Sequence, residues 1–145
     1  MIRKTEMTVL VDNVAAEPLE AEWGLSILIT ADDRKILLDT GGGEAFARNA
    51  ERLGIDLAEV DTGVLSHAHY DHANGMDAFF ARNRKADFLV REGSRENCYG
   101  IKDGAPEYIG IRSGLLEEHR ERIRYVSGVC EIGEGIWLLP HRKAD

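Results

Sequence analysis

Cysteine is nearly absent from this chain of 145 residues, which carries only Cys98 and Cys130. Two are too few for a disulfide framework and follow no metal-ligand spacing, so a reducing, cytoplasmic setting is expected. Proline is as scarce, and its three copies mark no linker. No run of about 18 apolar residues occurs, which excludes a spanning helix. No apolar stretch of signal-peptide length follows Arg3-Lys4-Thr5-Glu6. Basic side chains are outnumbered, 18 against 26 acidic ones, for a formal net charge of −8. Nucleic acid and anionic membranes both call for a basic patch, so neither is an expected partner.

What is present is ordinary for a globular protein: 43% hydrophobic and 30% charged residues. A chain of this length can bury roughly 70% of its unfolded surface, enough for one core and one domain spanning residues 1–145. No repeat or low-complexity tract stands out. Met7, Val9 and Val11 form one alternating run, and Leu25, Ile27 and Ile29 another. With the Asp32-Asp33 turn and Ile36-Leu37-Leu38, the stretch 24–39 reads as a hairpin. Phe46, Ala50 and Leu53 share a helical face that Gly54 closes. Val64-Leu65 ends a further strand. Asn74-Gly75-Met76-Asp77 resembles a capping box ahead of a short helix with Met76, Phe79 and Phe80 on one face. Phe88-Leu89-Val90 and Ile109-Gly110-Ile111 read as short strands, and Leu115 to Arg122 as one or two helical turns. Ile123–Tyr125, Val129–Ile132 and Ile136–Leu139 suggest a final meander. Strands interleaved with helices predict a mixed α/β layer architecture.

The chemistry concentrates in Ser66-His67-Ala68-His69-Tyr70-Asp71-His72, directly after an apolar strand. At a strand exit His67 and His69 project to one side, because side-chain direction repeats every two residues. The Asp71-His72 pair of the following turn can approach the same point. Neutral imidazoles with a carboxylate suit zinc, iron or manganese. The competing reading is a polar loop, or a helix start with Asp71 as its cap.

His67-x-His69-x-Asp71-His72 resembles the metal-binding signature of the metallo-β-lactamase superfamily. Asp39, in Leu37-Leu38-Asp39-Thr40-Gly41, falls where that superfamily has its upstream aspartate. Val11-Asp12-Asn13 and Glu22-Trp23-Gly24-Leu25-Ser26 further resemble the dihydropterin-type phosphate synthase branch. The resemblance covers the whole chain, but only the first half or slightly more of a full member. It implies an αββα sandwich, here in a C-terminally shortened version with a mixed sheet flanked by helices. It also implies one or two divalent metal ions, zinc first, and a metal-activated water as nucleophile. His67 and His69 would hold the first metal, and Asp71 and His72 the second. With a single metal, Asp71 would instead orient or deprotonate the water. Asp39 would steady the histidines through hydrogen bonds; the plainer reading makes it a turn residue.

A full member adds a third histidine, a bridging aspartate and a last histidine from its second half. Here only His119 and His141 remain. His119, in Glu117-Glu118-His119-Arg120-Glu121, reads as a solvated face, and His141 is a weak candidate ligand. The activity implied is hydrolysis of a small ester, phosphoester, thioester or lactone. The alternatives are a non-catalytic metal-binding remnant and one subunit of a split hydrolase. Apolar residues such as Met7, Val9, Ile27 and Ile29 would lack a partner layer in a half-length chain. A homodimer, or a partner chain supplying the missing half, is therefore expected, unless residues 108–139 fold back over the sheet. Gly41-Gly42-Gly43 lacks the spacing of a phosphate loop, and Trp23 and Trp137 read as core or edge aromatics.

Overall fold

The computed structural model describes residues 1–140. Alternation of apolar residues sets up the first strands, Thr5–Val11 (β1) and Ser26–Ala31 (β2), which pair antiparallel. Asp32 turns the chain with a φ of 50°, a region that aspartate enters more readily than most residues. Arg34–Leu38 (β3) returns alongside β2, so the expected hairpin forms. Ala45–Arg52 (α1) buries Phe46, Ala47 and Ala50, and Gly54 ends it with a φ of 71°. Thr62–Val64 (β4) then joins β3 in parallel. Tyr70–Ala73 (α2) and Met76–Arg82 (α3) lead to Asp87–Arg91 (β5), parallel to β4. Tyr99–Lys102 (β6) and Ala105–Tyr108 (β7) form a separate hairpin. Leu115–Glu118 (α4) precedes Ile123–Val126 (β8), which completes a mixed six-stranded sheet in the order β1-β2-β3-β4-β5-β8.

One face of this sheet carries the core. Leu10, Leu28, Leu37, Phe88 and Val90 meet Phe46, Ala50, Met76 and Phe79 in one buried cluster. Each large side chain so buried stabilises by roughly 1.5–3 kcal/mol. A bulge between Val9 and Val11 lets both Leu10 and Val11 reach that side, as bulges re-aim side chains.

The opposite face is also apolar. Val9, Ile27, Leu38, Val64 and Leu89 stand in register across five strands. Cys130–Gly133 (β9) and Ile136–Leu138 (β10) make a two-stranded hairpin, which Arg34 ties down by donating to the Ile132 carbonyl at 3.1 Å. A cavity of about 330 Å³ remains, with Ile29, Ile36, Leu38 and Val64 on one side and Ile132, Trp137 and Leu138 on the other. Further along β1 the face stays open, with Met7 and Val9 65% and 47% exposed. Residues 108–139 thus fold back over only part of the face.

Three local expectations are corrected. The last three strands are not one meander: β8 joins the large sheet, while β9 and β10 pair with each other. Ile109–Ile111 makes no strand, only an isolated bridge between Gly110 and His69. No capping box forms at α3. The chain enters it directly from α2, so Asn74 is already helical, at φ −70° and ψ −14°, and cannot cap from extended backbone. Its side-chain oxygen accepts instead from the Arg112 N–H at 2.7 Å.

Candidate metal centre

The ends of β3 and β4, the segment before β2 and the loop around α2 meet at one edge of the sheet. Asp39, just beyond β3, is fully buried with a φ of 58°, a conformation costing of order 1 kcal/mol. Its N–H donates to the Val64 carbonyl at 2.9 Å, and its own carbonyl accepts from Ser26 Oγ at 2.8 Å. Those bonds aim the side chain at the loop. Asp39 Oδ1 accepts from the Ser66 N–H at 2.7 Å. Asp39 Oδ2 accepts from Ser66 Oγ at 2.6 Å and from His72 Nδ1 at 2.8 Å.

This geometry sets two histidine tautomers. A carboxylate only accepts, so His72 must carry its proton on Nδ1. The Ser66 hydroxyl proton is committed to Asp39, so Ser66 Oγ accepts from His67 Nδ1, 2.8 Å away. In their neutral forms both rings then carry the lone pair on Nε2, the arrangement that orients metal-ligating histidines elsewhere. Sequence reasoning named Asp39 but gave Ser66 no role. The available signal was a hydroxyl residue directly before the first histidine.

Of the four residues the sequence singles out, three bring their rings together. His67 lies 4.6 Å from His69 and 4.1 Å from His72, centroid to centroid. Asp71 Oδ2 sits 3.4 Å from His72 Nε2. Desolvation first, then the charges His72 and His69 would carry, pushes the His67 pKa below its ordinary value. The neutral form that can bind a metal is thereby favoured.

Close backbone approach locks the loop. A Cβ at Gly24, whose φ is 147°, would lie 2.2 Å from the Asp71 carbonyl oxygen, the atom that accepts from the Leu25 N–H. A Cβ at Gly75 would lie 2.1 Å from the Thr40 carbonyl oxygen, while Thr40 donates through N–H and hydroxyl to the His72 carbonyl. Glycine is the residue for such contacts. Trp23 and Trp137 are exposed and so belong to edges rather than the core.

Elsewhere, His119 is not simply solvated. It packs against Phe80 at 4.6 Å and pairs through Nε2 with Asp77 Oδ1 at 2.7 Å. Asp77, Glu118 and His119 bring potential ligand atoms within 4.8 Å of one another. Arg112 already bridges both carboxylates, at 2.8 Å to Asp77 and 2.6 Å to Glu118. Its guanidinium supplies the positive charge a cation would bring, so this group is an ion-pair cluster. The loop offers three imidazoles and a carboxylate, donor types that suit zinc, iron or manganese. His141 lies outside the described residues. Among the described residues, no helix is long and apolar enough to cross a membrane.

The mixed α/β architecture agrees with the comparisons with known proteins. The sequence model of the metallo-beta-lactamase superfamily matches residues 24–142, and the chain belongs to that superfamily. Most of its members are hydrolytic enzymes that bind divalent metals. An uncharacterized protein of Methanocaldococcus jannaschii is 40% identical over 109 residues, covering 75% of this chain and 41% of that protein. The 7,8-dihydropterin-6-methyl-4-(beta-D-ribofuranosyl)-aminobenzene-5'-phosphate synthase of the same organism is 26% identical over 136 residues, 81% of this chain and 45% of the enzyme. A solved metal-dependent hydrolase of the beta-lactamase superfamily matches with a TM-score of 0.69 and 27% identity, over 94% of this chain and 48% of that one. The chain thus spans under half the length of each.

Proposed function

We propose that the chain acts as a metal-dependent hydrolase on a small-molecule ester, with a phosphoester as the first substrate class. The wider class includes thioesters and lactones, which the same chemistry can open. The observation that carries this reading is the Asp39–Ser66 network, which leaves His67 and His72 with free Nε2 atoms on one loop. The phosphoester preference draws support from the likeness to a synthase whose named product bears a 5'-phosphate.

A divalent ion, zinc first and iron or manganese otherwise, would supply Lewis acidity and lower the pKa of water. His67, His69 and His72 would hold it, with Asp71 as a further ligand or as the base that takes the proton of the attacking water. Asp39 keeps the rings from turning. Gly24 and Gly75 let the backbone close tightly behind them.

The test is elemental analysis with hydrolysis of a phosphodiester and thioester panel. Wild type should carry stoichiometric metal and lose turnover on chelation. The His67→Ala/His69→Ala double variant should carry none, and Asp71→Asn should lose turnover at least in step with occupancy. A double variant that keeps its metal defeats this site.

A second reading is a metal-binding module or one subunit of a split hydrolase. It is favoured by the fact that these donors come from a single segment while His119 is engaged with Asp77. Metal without turnover would select it. We further propose that a second copy, or a partner chain, covers the exposed β1 edge of the apolar face, and that the protein works in a reducing compartment such as the cytoplasm, where free Cys98 and Cys130 persist.

A further inference from the structure

We infer that the β6–β7 hairpin is a recognition arm of the metal centre that takes a planar, apolar portion of the substrate. This inference rests on the phosphoester reading above. The hairpin pairs Tyr99 with Tyr108 and Ile101 with Pro106, so these four side chains share one face, while Gly100 and Glu107 lie on the other. That face is open to solvent along its length: Tyr99 is 66% and Ile101 76% exposed. The two tyrosine rings meet edge to face at 5.2 Å.

A continuous set of contacts joins this face to the candidate ligands. The Tyr108 ring lies over Gly110, where a Cβ would come within 2.8 Å of it, and its hydroxyl donates to the Ile111 carbonyl at 2.5 Å. Gly110 is bridged to His69, and the Tyr70 N–H donates to the Ile109 carbonyl at 3.1 Å. The base of the arm is therefore hydrogen-bonded to the loop that carries His69 and Asp71. An arm fixed there starts from the same loop as the candidate ligands.

The size of the face selects the occupant. An aromatic side chain covers about 150–250 Å² when fully buried, so four partly exposed side chains offer a few hundred Å² in all. A stable protein interface needs about 800 Å² per partner. One ring-sized group fits what is available. Such a group would stack on the tyrosines while its phosphate reaches the histidines.

Calorimetric titration of the zinc-loaded protein with phenyl phosphate and with methyl phosphate tests this. Phenyl phosphate should bind about tenfold more tightly. The Tyr99→Ala/Ile101→Ala double variant should erase that preference, and Tyr99→Phe, which keeps the ring, should retain it. Far-ultraviolet circular dichroism of the variants should match wild type, since both positions are exposed. Equal binding of the two phosphates by wild type overturns the arm and leaves the metal-centre reading standing, as does a preference that survives in the double variant. Failure of both phosphates to bind overturns both readings.

Discussion

Replacing Asp39 by asparagine keeps the side chain's shape and its tolerance of left-handed backbone, yet it should invert the histidines. The Ser66 N–H can only donate, so the new amide oxygen must occupy the Oδ1 position and the amide nitrogen the Oδ2 position. That nitrogen is a donor where His72 Nδ1 and Ser66 Oγ now give their protons. His72 must move its proton to Nε2 to accept. Ser66 Oγ must accept from the amide and turn its hydroxyl toward His67 Nδ1, which moves that proton to Nε2 as well. Loss of one outer partner costs roughly 10–100-fold in metal affinity, and here one change acts on two ligands, so about 100-fold is expected. Weakening three bonds to a buried carboxylate should lower folding stability by about 1–3 kcal/mol. Competition with a chromophoric chelator reads the affinity, and imidazole nitrogen shifts of the metal-free protein read the tautomers. Wild-type affinity in D39N, or Nδ1-protonated rings in both proteins, would refute the reasoning.

Gly24→Ala places a methyl group 2.2 Å from the Asp71 carbonyl oxygen at a φ of 147°; thermal unfolding should show a loss of several degrees, roughly 1–3 kcal/mol, with weakened metal binding. At Asp77, burial pushes the carboxyl up, but the hydrogen bonds from His119 and Arg112 outweigh it and hold the pKa below the ordinary 3.8. The unfolded chain binds that proton first, so this stabilisation is complete above about pH 4 and is lost as pH falls through the lowered value. Denaturation across pH 2–5, an acid range of about three units, should therefore show a shallower decline for Asp77→Asn. Light scattering after gel filtration should give twice the 16.1 kDa of one chain; a clean monomer at micromolar concentration would exclude the second copy.

The strands that position the site were legible because their burial has a period of two, and β1 to β3 follow it. The histidine loop stood out because four potential donors crowd one short segment. What escaped depends on neighbours distant in sequence. Nothing around Asn74 reveals that α2 feeds α3 without a break, so a capping motif was expected where no helix start is free. The role of His119 depends on Asp77, 42 residues earlier, and the short charged run around it looks like open surface. The β6–β7 hairpin was missed because its residues are exposed on both faces, leaving no alternation to read. Ser66 shows the same limit from the other side: its neighbour His67 was plain, but the carboxylate that gives the serine its part lies 27 residues earlier, just beyond β3.

The Asn74–Gly75 step has a chemical consequence for the ageing of the protein. Asparagine before glycine is the dipeptide most prone to deamidation, since the following backbone nitrogen can attack the side-chain amide and close a succinimide ring. In this fold the attack is blocked from both ends. The Gly75 N–H donates to the Gly41 carbonyl at 3.2 Å, and the Asn74 amide oxygen is held by the Arg112 N–H. Helical backbone at Asn74 keeps the two atoms in the wrong relation for ring closure. The folded state therefore acts as a protecting group for this step, and each excursion to the unfolded chain removes it. An isoaspartate formed there would add a methylene to the backbone where Gly75 touches Thr40, two residues from His72. Chemical damage and loss of the ligand loop would then be one event.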